Sequence, residues 1–509
     1  MRLFEALLSL ANLLAFFALV MPPSKAIRWI RCAALLAVLI AIAQVLIEGE
    51  RWEMVPAYVL AGLFFLIWLI GLRRNIAPAI YPAKKKLICR IGFGVVVGLG
   101  VLGLAASIAL PIILPVFQLP QPTGPYGIGT VTYDWTDASR PELFSTNSNA
   151  RRELMVQIWY PAQENPSSAL APYIPTANAV MAVTAQIHSW PNFALQSVNY
   201  VTSHAMKSVL VTNDRPSYPV LIYLEGLTGY RELTTFQDEE LVSHGYIVVG
   251  IDQPGAAATV VFPDGHQITM GEGAVPPVLQ MEALVNQSFA PGTTTPILNG
   301  QAMPNGIIPY FAEDVSFVLD QLASINTADP QGILTGKLDL AHTGIFGMSL
   351  GGAVGAEACL KDPRIKACLI EDVAMPADVV SKGLQQPTLF ITRPEATIEL
   401  ERQTAGGWPQ AAIVQTLSTM RSVYTGLPGD GYYVQVPGMY HIDMTDLDLV
   451  SPLFPAIGFS GPIGATRAHD IVNAYSVAFF DKELMGASTT LLDGPLAQYL
   501  EVIFESRKP

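Results

Sequence analysis

Thr343-Gly344-Ile345-Phe346-Gly347-Met348-Ser349-Leu350-Gly351-Gly352 joins a short apolar run to a helix-forming one, and its reading decides the fold. In a strand-to-helix turn of the form G-x-S-x-G, the residues two before and two after the serine approach so closely that only glycine fits. The serine hydroxyl is then lifted to the end of the strand. Gly347 and Gly351 occupy those two positions. The same pentapeptide also occurs as a plain glycine-rich turn with a bystander serine, so its meaning depends on what the rest of the chain supplies.

Outward from this turn, apolar runs at 154–160, 219–224, 246–251, 344–346, 367–370, 388–392 and 432–436 read as strands. Helix-forming stretches lie between several of them, at 236–244, 311–322 and 350–361, and a terminal amphipathic stretch begins near Arg467. Near-continuous apolar strands alternating with helices predict an α/β domain whose mostly parallel sheet is covered on both faces. Residues 255–309 break the alternation and are rich in Pro, Gly and Thr, which predicts a lid or cleft loop.

The 509 residues divide chemically near Phe117. Residues 1–117 carry a formal charge of +7 and the remainder −20, and the first part holds four apolar segments at 3–20, 32–47, 54–72 and 91–116. About 20 residues span a bilayer, so the last two segments are long enough outright and the first two lean on their flanks. A transmembrane domain of about four helices over 1–117 is expected, followed by a proline-rich exit at 118–125 and a globular domain over 118–509. Reading the first segment as a signal peptide is the alternative, but no small-x-small site precedes Met21-Pro22-Pro23. Lys25, Arg28 and Arg31 lie between segments one and two; Arg73, Arg74, Lys84, Lys85, Lys86 and Arg90 lie between three and four. Both loops are therefore assigned to the cytoplasm and the C-terminal domain to the outside. Glu5 and Asn12 interrupt the first segment and are read as packing or interface residues.

The acidic domain lacks the clustered Lys and Arg that phosphate binding needs, which excludes nucleic acid as a partner. Four cysteines form no metal-ligand spacing, so no metal and no cofactor is expected. Cys359 and Cys368 are read as buried free thiols rather than a disulfide.

A serine becomes a nucleophile when a histidine takes its proton and a carboxylate holds that histidine, in the chain order Ser, acid, His. Two histidines follow Ser349: His441, after the turn Pro437-Gly438, and His469, inside the terminal helical stretch. The loop position favours His441. Glu371 and Asp372 end the next strand, and either carboxylate suits the acid, whereas Asp443 and Asp446 are read as solvated or capping groups and His244 and His342 as structural. An oxyanion hole needs two backbone N–H groups; one falls to Leu350, the other to the loop Glu225-Gly226-Leu227-Thr228-Gly229-Tyr230-Arg231.

With these blocks assembled, residues from about Thr123 onward resemble the platelet-activating factor acetylhydrolases of the plasma and intracellular isoform II group, which are α/β-hydrolases. The resemblance rests on Thr123-Gly124-Pro125-Tyr126, Ile158-Trp159-Tyr160-Pro161-Ala162, the 225–231 loop, Ser243-His244-Gly245-Tyr246-Ile247-Val248, the serine turn, Glu371-Asp372-Val373-Ala374-Met375-Pro376, and Gly438-Met439-Tyr440-His441. It implies Ser349 as nucleophile, Asp372 as acid, His441 as base, and the amides of Leu227 and Leu350 as oxyanion hole. Asp372 takes precedence over Glu371 because Met375 stands three residues after it. Glu225 replaces the family's histidine before the oxyanion turn, Thr228 interrupts that turn's small residues, and the family's Trp after the acid is absent. The implied activity is that of a serine esterase on carboxylic esters, with phospholipid or other lipid esters of short or modified acyl chains as the expected substrates; the N-terminal helices, which are not part of the family's pattern, make it membrane-anchored. A transporter or sensor with a non-catalytic lipid-binding domain, or an acyltransferase with the same triad, are the alternatives.

Overall fold

The computed structural model describes residues 1–21, 30–73, 83–163, 168–407 and 409–508, without the side chains of 71–93. Pro22, Pro23, Lys25, Arg28 and Arg74 lie outside the described residues, as do the side chains of Arg73, Lys84, Lys85, Lys86, Cys89 and Arg90. The chain forms two compact units: residues 1–117 with 193–201 and 450–452, and the remainder.

The first unit contains the helices α1 (Leu3–Val20), α2 (Ala33–Ile47), α3 (Val55–Arg73) and α4 (Ala83–Ile113). Among the described residues three spans are long and apolar enough to cross a membrane, Leu3–Val20, Trp52–Ile70 and Gly94–Ile113. Four helices are present as expected, but three rather than four are long enough to span unaided, and α2 is the exception. At 1.5 Å per residue, α2 rises only about 22 Å against a hydrocarbon core of about 30 Å. The first segment, by contrast, needs no help from its flanks. Polar residues tie one end of the bundle together. Fully buried Glu5 accepts from Arg51 Nη1 at 2.8 Å and pairs with Arg2 at 2.9 Å, the Phe4 N–H donates to Glu48 Oε1 at 2.9 Å, and Arg51 also donates to Leu114 O. Asn12 donates to Ala57 O at 2.9 Å, bridging α1 and α3.

The second unit is built on an 11-stranded sheet. Its strands, with two small hairpins included in the numbering, are β1 (Gly127–Pro141), β2 (Arg151–Ala162), β3 (Leu170–Pro172), β4 (Thr202–Lys207), β5 (Tyr218–Leu224), β6 (Ile247–Asp252), β7 (Thr259–Val261), β8 (Gln267–Thr269), β9 (Ile297–Leu298), β10 (Gln301–Ala302), β11 (Leu338–Met348), β12 (Ile365–Glu371), β13 (Thr388–Thr392), β14 (Gly431–Gln435) and β15 (Ile503–Arg507). The sheet order is β15-β14-β13-β12-β11-β5-β6-β2-β1-β4-β3. From β6 to β14 the neighbours run parallel, and antiparallel pairs flank this block. Alternation sends Val220, Ile222 and Leu224 of β5 into one apolar layer and Leu221 and Tyr223 into the other, so both faces are covered as expected.

The helices of this unit are α5 (Ala177–Ile187), α6 (Thr235–Ser243), α7 (Val278–Phe289), α8 (Ile308–Thr327), α9 (Leu350–Lys361), α10 (Ala377–Lys382), α11 (Glu395–Thr404), α12 (Gln410–Gly426) and α13 (Ala465–Glu483). The irregular stretch expected at 255–309 contains two hairpins and α7, started by Pro276-Pro277. Cys359, near the end of α9, is bonded to Cys368 of β12 with their Cα atoms 6.7 Å apart. This overturns the free-thiol reading. The elbow helix lies directly on the strand that follows it, which brings two residues nine apart within disulfide reach.

Every residue of α6 is buried although four are Gln, Asp or Glu. Around it, burial pushes the carboxyls of Glu232 to about 8 and of Asp443 and Glu371 to about 7, and lifts those of Asp238 and Asp446 well above the usual range. A raised carboxyl binds its proton more tightly in the folded state, so its contribution is complete below the unfolded value and is lost as pH climbs through the folded one. These groups therefore make stability fall as pH rises from their unfolded values near 4 to the folded values of about 7–8, by about 1.4 kcal/mol per unit for each group in transition. Urea midpoints across that range check this; a midpoint that rises toward pH 8 contradicts it.

Candidate active site

Strand register assembles the site at one sheet edge. Gly347 of β11 sits opposite Leu224 of β5 and Ile370 of β12, and Glu371 lies opposite Ile391 of β13. Ser349, the 225–231 loop, Asp372 and the residues after β13 thus emerge side by side at the carboxyl ends of parallel strands, the edge where open α/β sheets bind ligands. Ser349 has φ 56° and ψ −127° and caps α9. A Cβ on Gly351 would lie 2.0 Å from Leu224 O and one on Gly347 2.6 Å from Gly351 C, so neither position admits a side chain. Among the described residues six non-glycines have positive φ, and three of them, Thr228, Ser349 and Asp372, are here. Strain of this kind collects where surrounding structure enforces it.

Ser349, Asp372, His441, Leu227 and Leu350 line one cavity of about 420 Å³. His441 lies just past Gly438, whose φ of 80° turns the chain back toward the sheet edge. Its Nδ1 is 2.6 Å from Asp372 Oδ2. Asp372 Oδ1 accepts from Thr392 Oγ1 at 2.7 Å, and Arg393 Nη2 lies 2.7 Å from Oδ2. Burial alone raises the Asp372 carboxyl, but Arg393 and then His441 outweigh it and hold the group well below the usual carboxylate range. Glu371 is not brought to His441. Alternation turns its side chain to the opposite face, where it accepts from Gln237 Nε2 at 2.9 Å.

His469 is fully buried, stacked on Phe236 with ring centroids 3.8 Å apart and 3.3 Å from Asp448. His342 pairs with Asp339 and His244 with Glu240, all outside the cavity. Asp443 accepts the N–H groups of Tyr440 and Gly461.

The Leu350 N–H stands at the first helical position, where no intrahelical acceptor exists. The Thr228 N–H is taken by Ala256 O at 2.7 Å, whereas the Leu227 N–H meets no backbone acceptor among the described residues. The Glu225 side chain is fully buried. Its Oε1 accepts the Gln253 N–H at 2.9 Å, and burial with nearby Asp252 lifts its carboxyl well above the ordinary range. Val278, Val285 and Phe289 of α7 supply an apolar wall, Glu282 and Asn286 its polar edge, and Ala412, Gln415 and Thr416 of α12 the other side.

Sequence reading missed Arg393, the Glu401 carboxylate that pairs with it, and the two wall helices. The available sign for Arg393 was a lone charge directly after the apolar run 388–392 and before Pro394.

A solved structure of ferulic acid esterase from Streptomyces cinnamoneus matches with a TM-score of 0.56 at 25% identity, over 77% of this chain and 99% of the esterase. The chain is a carboxylic ester hydrolase of the α/β-hydrolase fold. The family model described as platelet-activating factor acetylhydrolase, isoform II, matches residues 113–286. A probable 1-alkyl-2-acetylglycerophosphocholine esterase of Arthroderma benhamiae is 24% identical over 76% of this chain and 94% of its own, and a platelet-activating factor acetylhydrolase of Cavia porcellus 23% identical over 72% and 78%. The chain is thus similar to this isoform II family, whose model covers residues 113–286 of its 509.

Proposed function

We propose that Ser349 attacks the ester carbonyl while His441 takes its proton, with Asp372 fixing the imidazole tautomer and stabilising the cation that forms. The observation that carries this reading is the 2.6 Å contact of His441 Nδ1 with Asp372 Oδ2 inside the cavity that Ser349 lines. The N–H groups of Leu227 and Leu350 receive the charge developing on the carbonyl oxygen. His441 returns the proton to the departing alcohol, and water then cleaves the acyl-enzyme with His441 as base. A cavity of about 420 Å³ with an apolar α7 wall suits lipid-type esters with a short or modified acyl group.

In this reading the enzyme is membrane-anchored and faces outward, with residues 1–117 as the membrane domain, the shorter α2 crossing with the help of its flanks so that four crossings return the chain to one side, and 118–509 as the hydrolase. The polar residues that gather Arg2, Glu48, Arg51 and Leu114 at one end of the helical bundle support an arrangement in which the chain's start and the exit toward the hydrolase share a side. The basic loops belong to the opposite, cytoplasmic side. The Cys359–Cys368 bond accords with an oxidising compartment.

A membrane-impermeant fluorophosphonate applied to intact cells is expected to label the peptide containing Ser349. Labelling only after lysis overturns the outward placement, and no labelling in detergent overturns the nucleophile.

A further inference from the structure

Arg393 is fully buried at the first position after β13, between two carboxylates. Its Nη2 is 2.7 Å from Asp372 Oδ2, the same oxygen that His441 Nδ1 approaches to 2.6 Å, and its Nη1 pairs with Glu401 of α11. An arginine cannot shed its proton in a protein, and a buried ion is tolerated only when its partners are close and well placed. The triad chemistry alone does not require a cation at the acid. Its presence there weakens the pull of Asp372 on the imidazolium, because one positive charge faces the carboxylate that must stabilise another.

Glu401 reverses that loss. Asp372, Arg393 and Glu401 together carry one net negative charge, and protonating His441 brings the set to neutrality. Without Glu401 the resting set is neutral and the imidazolium leaves a buried excess positive charge. Without Arg393 two carboxylates draw on the imidazolium, and Asp372 keeps Thr392 Oγ1 on one oxygen but loses the cation that holds the other. We infer that Arg393 and Glu401 extend the Asp372–His441 pair into a buried charge chain, Arg393 positioning Asp372 and Glu401 restoring the negative charge that Arg393 offsets, so that together they set the basicity of His441. This rests on the reading of Asp372 and His441 as acid and base.

The other ionisable groups near the pair have separate engagements. Glu371 is turned to Gln237, Asp443 accepts two backbone N–H groups of its own loop, and Tyr433 of β14 is held above its usual range, to about 12, by burial. Tyr440 pairs its hydroxyl with Thr404 of α11 at 3.0 Å, and Glu282 of α7 lies at the cavity's polar edge.

The test is the pH profile of kcat/KM for a p-nitrophenyl ester, whose acid limb reports the free base. Arg393→Gln is expected to move that limb up, and Glu401→Gln to move it down, each by about one pH unit. The double variant should return it near the wild-type position, and Arg393→Lys should keep the limb while lowering kcat, with KM unchanged throughout. Opposite shifts cannot come from mere loosening, which lowers kcat without moving the limb. Should Arg393→Gln not fold, Glu401→Gln and Arg393→Lys decide alone. Limbs that stay within about 0.2 unit of wild type, in an enzyme that His441→Gln inactivates, overturn the charge chain and leave the triad standing. Undiminished activity in His441→Gln overturns the triad itself.

Discussion

Ser349→Ala is expected to lower kcat/KM for short-chain p-nitrophenyl esters by about 10⁵-fold or more, with the thermal midpoint unchanged. The loss falls on kcat, because the hydroxyl forms the acyl-enzyme and contributes nothing to holding the ester beforehand. Alanine keeps the backbone at φ 56° no worse than serine does, since both carry one Cβ. The Ser349 N–H still donates to Glu371 O at 2.9 Å, and Gly347 and Gly351 still pack, so the elbow survives. A residual rate of about 10³-fold over water should remain from the Leu227 and Leu350 amides and from substrate positioning. Activity within tenfold of wild type would remove Ser349 from the reaction and leave the cavity as a binding site.

The parallel half of the sheet was legible because a strand buried on both faces must be apolar along its whole length. β5, β6, β12 and β13 therefore stand out as unbroken runs. β1 was not legible in that way. It pairs antiparallel with β2, exposes alternate residues through Thr132, Asp134 and Thr136, and its sequence contains Gly, Thr and Asp in place of a continuous run. α7 was hidden by its surroundings. Twelve helical residues sit inside a stretch whose Pro, Gly and Thr content reads as loop, and only the paired prolines before it mark a start. In the membrane half, composition located four helices, but it took the length of α2 to separate an apolar helix that leans on its flanks from one long enough to span a bilayer unaided.

At the site, order along the chain was enough to bring forward Ser349 and His441, since a loop after a strand at the sheet edge can present a histidine and the middle of an amphipathic helix cannot. Glu371 and Asp372 were inseparable on those grounds. Adjacent residues at a strand end project to opposite sides, and which side faces the histidine depends on where the strand stops. Arg393 and Glu401 act only through Asp372, so no motif announces them.

Asp372→Asn is expected to cut kcat/KM by about 10³–10⁴-fold, whereas Glu371→Gln should change it by less than about threefold. Asparagine is the residue best able to hold the backbone at the φ of 49° found here, so the substitution tests charge more than conformation. Its amide would present an N–H or a neutral oxygen to His441 Nδ1. The imidazole then loses its fixed tautomer, and the imidazolium loses its counter-charge. Arg393, left facing a neutral amide, keeps Glu401 as its partner, so part of the buried charge remains balanced. Glu371 is different in each respect. Its carboxyl is held at about 7 by burial, its Oε1 accepts from Gln237, and glutamine can accept that same hydrogen bond. Side by side, the two variants differ by one position and by the face of the sheet to which the carboxyl turns. Equal losses in both would mean that the strand end responds as a structural unit, and a larger loss in Glu371→Gln would move the acid to the other face of the sheet.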